Sequence, residues 1–159
     1  MSSVVMTRTV TVNAAFLQEI KEVNTELWHR LEELRHRCQR PISPANCRML
    51  VDRLSQMRDQ LALHFALEEA YGYFDDPVDV APRLSYAAEN LRSEHRTLYL
   101  ELTNIVDRAE RLIHCEQLAT LALWFGPEFL EFDQALRDHE SRENELIYEA
   151  YETDIGTGD

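Results

Sequence analysis

The sequence predicts an all-α protein, an up-down-up-down bundle of four long helices. Apolar residues recur in steps of three and four along four long segments, which lines one face of a helix in each. Only four glycines and five prolines occur in 159 residues, too few for the turns of a sandwich or barrel. The connections between the segments are short, which sets consecutive helices antiparallel. At 159 residues, 45% apolar and 28% charged, the chain has the length and composition of one globular domain.

Residues 1–12 alternate weakly (Val10-Thr11-Val12) and are expected to form an N-terminal arm. Asn13 is a good N-cap for a first helix over residues 13–38, whose stripe is Phe16, Ile20, Val23, Leu27, Leu31, Leu34 and Cys38. Arg40-Pro41-Ile42-Ser43-Pro44 ends it and starts the second, with Ser43 as N-cap and Pro44 in the first turn. That helix carries Leu50, Leu54, Met57, Leu61 and Leu67, and Gly72 with Asp75-Asp76-Pro77 closes it near residue 74. The third starts near Pro82 and carries Leu84, Leu91, Leu98, Leu102, Ile105, Val106, Ala109 and Ile113. The fourth begins at Leu118, where Gly126-Pro127 is expected to kink or restart it, and continues through Phe129, Phe132, Leu136, Leu146, Ile147 and Ala150. Gly156 and Gly158 are expected to release a flexible tail over residues 155–159, which leaves residues 13–154 as the bundle.

A net charge of −13 repels phosphate backbones and anionic lipid, which argues against nucleic-acid and membrane partners. The longest purely apolar run, Leu121-Ala122-Leu123-Trp124-Phe125, is far too short to span a bilayer. Three cysteines without close pairing point to the cytoplasm. Cys38 and Cys47 bracket the first turn, and buried thiols are preferred there to a redox clip. The aromatic residues Trp28, Trp124, Tyr71, Tyr73 and Tyr86 are read as packing. No phosphate loop, dinucleotide turn or nucleophile elbow is present.

The histidines carry the chemical signal. His followed four residues later by Glu places both side chains on one helix face, where they can share a metal. This occurs at His29/Glu33, His64/Glu68 and His139/Glu143. At 100° per residue, His64 and Glu68 lie within about 50° of the centre of their stripe and His95 within about 20° of its own. His139 and Glu143 flank the centre of the fourth stripe. His29 and His36 lie about 170° away and His114 about 120°, on the outside. Three inward histidines and two inward glutamates, with no inward Lys or Arg beside them, call for a cation. That donor set suits borderline first-row metals, iron above all, and suits calcium or magnesium poorly.

With these residues the chain resembles the hemerythrin-like (HHE cation-binding) family, in its bacterial form. The resemblance covers most of the chain, with its weight on His64/Glu68, His95 and His139/Glu143 and on the stretch Leu61-Ala62-Leu63-His64-Phe65-Ala66-Leu67-Glu68-Glu69. It implies a four-helix bundle holding two irons, bridged by the two glutamates and an oxo or hydroxo group. It further implies contact with oxygen, peroxide or nitric oxide, or a role in reporting iron supply. Two positions depart from the family pattern. Where a histidine is expected on the first helix the chain has Asn24, and where a second histidine is expected on the third it has Tyr99. His29 faces away and is no substitute. Asn24 and Tyr99 are each read either as additional ligands or as groups that orient water, and Tyr71, one turn beyond Glu68, as a further outer donor.

The ligand count then falls short of the roughly twelve bonds of two octahedral irons. Open positions favour oxygen or peroxide chemistry or ferroxidase-like iron handling over reversible oxygen carriage. The alternatives are a non-enzymatic iron- or oxygen-sensing module and a metal-free interaction bundle.

Overall fold

The computed structural model describes residues 24–70 and 82–158. They form four α-helices and no strand: α1 (Thr25–Cys38), α2 (Cys47–Ala70), α3 (Ser85–His114) and α4 (Leu118–Gly158). Short 3-10 turns at Pro44–Asn46 and Pro82–Leu84 lead into α2 and α3. The expected arm, the Asn13 cap, Phe16, Ile20, Val23, Tyr71, Tyr73 and the closing turn from Gly72 to Pro77 lie outside the described residues.

Each helix boundary has a local cause. Ser43 takes the extended N-cap conformation before Pro44, although its side chain makes no capping bond. Helix α3 ends with Glu116 at φ 56°, its Gln117 N–H bonded to Leu112 O at 2.8 Å and its Glu116 N–H to Ile113 O at 3.0 Å. This is a Schellman end with glutamate where glycine is usual.

Helix α4 differs from expectation twice. Gly126-Pro127 does not restart it; Pro127 sits inside one continuous helix. The carbonyl deprived of a donor belongs to Leu123, an 81% exposed residue, so water can take that bond. The helix also runs on to Gly158, past the expected release. Glycine weakens a helix by about 1 kcal/mol relative to alanine without having to end it.

The chain divides into two compact units. One comprises Thr25–Leu63 and Thr97–Arg137, and its interior is almost wholly apolar. Leu27, Leu31, Leu34, Leu50, Leu54, Met57, Leu102 and Val106 are buried in it, with Phe129 stacked on Phe125 and tilted against Phe132. Each such side chain contributes about 1.5–3 kcal/mol by leaving water. Gly126 allows close approach here, since a Cβ would stand 3.2 Å from Cys38 O. The one buried charge is Asp133, gripped at both oxygens by Arg35 (2.6 and 3.0 Å) and approached by Arg137 at 3.1 Å. Cys38 and Cys47 are buried free thiols, and burial, helped by Asp133, pushes Cys38 up to about 12.

The other unit comprises His64–Arg96 and Asp138–Asp159, together with Asn24. Its described interior holds Phe65, Leu84, Ala88, Leu91, Leu146, Ile147 and Ala150, and with them three histidines and two glutamates. Among the described residues no helix is long and apolar enough to cross a membrane.

Candidate metal centre

The polar residues of this second unit occupy core positions of the helical stripes. On α2, His64 follows the stripe residue Leu61 by three, and Glu68 lies one turn further on. On α3, His95 falls between Leu91 and Leu98; on α4, His139 and Glu143 fall between Leu136 and Ile147. All five are at most 4% exposed. His29, His36 and His114 are exposed, as their phase predicts.

Two groups of ligand atoms result. His95, His139 and Glu143 form one; His64, Glu68 and Glu140 form the other, the atoms of each lying within 4.8 Å of one another. In the first, Glu143 Oε2 is 3.3 Å from His95 Nε2 and 3.4 Å from His139 Nε2. In the second, His64 Nε2 is 2.9 Å from Glu68 Oε1 and 3.8 Å from Glu140 Oε1. Glu68 Oε1 is also 3.9 Å from His95 Nε2, so one carboxylate faces both groups.

Each imidazole turns its Nε2 inward and has its Nδ1 held from behind. His139 Nδ1–H donates to Glu94 Oε1 at 2.8 Å, and Arg142 donates to the other oxygen of Glu94 at 2.5 Å. His95 Nδ1 faces Glu69 Oε2 at 3.3 Å. Asn24 Nδ2 donates to His64 Nδ1 at 2.9 Å. The Phe65 ring stacks on His95, centroids 4.0 Å apart and planes within 8°. With Nδ1 protonated, Nε2 of His95 and of His139 presents a lone pair to the lone pairs of Glu143. A proton or a metal ion has to stand between them.

The proton affinities reflect this crowding. Burial works against protonation of His64, but Glu140 and Glu68 outweigh it and push the imidazole up to about 10. Burial, then repulsion from Glu143 and Glu140, outweighs the pull of His64 and pushes Glu68 up to about 7. His139 is also raised, with burial opposed by Glu143 and Glu94. Glu94, though partly buried, is lowered by Arg142 and His139.

A bound cation fits these residues. Glu68 Oε1 lies 2.9 Å from His64 Nε2, while Glu68 Oε2 and His139 Nε2 are buried and make no hydrogen bond. Leaving such atoms unmet costs about 1–3 kcal/mol each. Metal–ligand distances of about 2.0–2.2 Å set neighbouring ligand atoms roughly 3–3.5 Å apart, close to the separations found.

Asn24, open in the sequence between ligand and outer group, stands on the outer nitrogen of His64 and orients the ring. Tyr99 is 36% exposed and belongs to the apolar unit, so its phenol is not a buried donor awaiting a partner. Sequence reasoning missed Glu140, Glu69, Glu94 and Arg142. Glu140 had a readable signal, three residues before Glu143 on one face of α4; Glu69 and Glu94 only neighbour a stripe position. No family model, no curated protein and no solved structure matches this chain.

Proposed function

We propose that this chain is a non-haem iron protein, a hemerythrin-like up-down-up-down bundle with a centre for two irons, which handles oxygen, peroxide or iron itself. The observation that carries the reading is the convergence of three buried imidazoles, each held at Nδ1, on two buried carboxylates. Iron bound there would supply redox chemistry toward small oxidants such as oxygen or peroxide, and an affinity for nitric oxide.

The chain's own residues do the positioning. Glu94, anchored by Arg142, keeps the His139 proton on Nδ1, so Nε2 offers its lone pair inward. Glu69 acts in the same way on His95. Asn24 as placed leaves the His64 proton on Nε2, facing Glu68. Turning its amide presents Oδ1 to Nδ1 instead and frees Nε2 for a metal. Glu68, facing both groups, is the bridge the geometry supports best. Phe65 covers one face of His95 and keeps water from that side. The free thiols of Cys38, Cys47 and Cys115 fit a reducing compartment, the cytoplasm.

The test is reconstitution of the purified protein with iron(II) under argon, followed by metal analysis and assays of peroxide and oxygen consumption. The expected result is up to two irons per chain and turnover above that of free iron. Iron without turnover would reduce the reading to a binding or sensing module, and absence of bound iron would refute it.

A further inference from the structure

The two groups of ligand atoms are chemically unequal. One offers two imidazole nitrogens and one carboxylate; the other offers a single nitrogen, from His64, with the carboxylates of Glu68 and Glu140. Glu140 is the member that neither the inward-phase pattern nor the resemblance assigns. It directly follows His139, and adjacent residues on a helix diverge by 100°. That divergence lets α4 serve both groups: His139 meets Glu143 and faces His95, while Glu140 reaches His64. Asn24 cannot complete the second group, because it is engaged on the outer nitrogen of His64. Glu68 provides a separate pointer to a ligand in this group, since its Oε2 is buried without a hydrogen bond.

We infer that Glu140 is a metal ligand that completes an oxygen-rich second position with His64 and Glu68, distinct from the nitrogen-rich position of His95, His139 and Glu143. The inference rests on the two-metal reading above. Its consequence is an order of filling. Zinc(II), which favours nitrogen, enters the nitrogen-rich position first, and the oxygen-rich position is weaker toward it. Manganese(II), a harder ion, discriminates less between the two.

The probe is zinc(II) added to the apo protein and followed by calorimetry, with cobalt(II) absorption as a readout of the ligands. The wild type is expected to take two zinc ions in resolved steps at least tenfold apart in affinity. Glu140→Gln keeps the charge off the same shape. It is expected to retain the first step unchanged and to weaken the second at least tenfold, with a shifted cobalt spectrum for the second equivalent. Glu143→Gln should instead weaken the first step. Helicity of each apo variant, read by circular dichroism, controls for folding. Should E140Q prove unfolded, E140D takes its place, with the same shift of the second-equivalent cobalt spectrum expected from its shorter reach.

Two zinc ions bound by E140Q with wild-type affinities, or an unchanged cobalt spectrum for the second ion, would overturn the assignment of Glu140 while leaving a two-metal centre. A wild type that binds neither zinc nor iron would remove that centre as well.

Discussion

Replacing Glu68 by methionine separates the requirements of folding from those of metal binding. Glu68 is fully buried; its Oε2 makes no hydrogen bond, and its Oε1 meets His64 Nε2 at 2.9 Å. Removing an unmet buried polar group recovers about 1–3 kcal/mol. Methionine is unbranched and only slightly larger, so overpacking returns less than about 1.5 kcal/mol of that. Losing the Oε1 contact with His64 offsets the remainder, so apo Glu68→Met is expected within about 1 kcal/mol of wild type, or roughly 2–4 °C in Tm for a domain of this size. Metal should separate the two. A ligand that binds only the folded state at a hundred times its Kd adds about 2.7 kcal/mol, which the wild type gains and the variant loses. The assay is thermal unfolding by circular dichroism, with chelator and with iron(II) or zinc(II). An apo variant at least 1 kcal/mol less stable than wild type, or one whose Tm still rises with metal as the wild type's does, would refute the argument.

Three further outcomes are expected. His64 and Glu68 both hold protons more tightly in the fold than in the open chain, so the native apo state binds more protons than the unfolded one. Stability of the apo protein should therefore fall as pH rises from about 4.5 to 10, through Glu68 up to about 7 and through His64 above about 6.5, by about 1.4 kcal/mol per pH unit for each extra proton, and metal binding should release protons; urea titrations at several pH values and a pH-indicator assay check both. His29→Ala, on the exposed face of α1, should leave metal content unchanged, and elemental analysis showing its loss would overturn the register of that helix. Arg35→Met leaves buried Asp133 with only Arg137 beside it and is expected to cost about 2–4 kcal/mol, whereas Asp133→Leu, which removes the buried charge instead, should cost less; denaturant midpoints of the two variants decide.

The helices and the inward residues were legible because both rest on local periodicity. A repeat of 3.6 residues is written along the chain, and it sorted six histidines into three buried and three exposed without any knowledge of neighbouring helices. It also predicted the apolar faces: Leu27, Leu31 and Leu34 on α1, and Leu102, Val106 and Ala109 on α3, are all buried. The breaks were less legible. Gly126-Pro127 looks like an interruption when only propensity is weighed, yet the carbonyl it strands lies toward water and the glycine fits against a backbone oxygen of the first helix.

The partners of each site residue were beyond local reading. Whether Asn24 meets a metal or the back of an imidazole depends on where α2 places His64, forty residues away. Glu94 and Arg142 matter because two helices bring them behind His139, and nothing in their own spacing marks them. Glu140, Glu68 and His64 become one group only when α2 and α4 lie together. Helical phase is a property of consecutive residues and survives in a bare sequence. Distances between side chains on different helices arise from packing, and there the outer partners of the imidazoles and the split into two unequal groups are set.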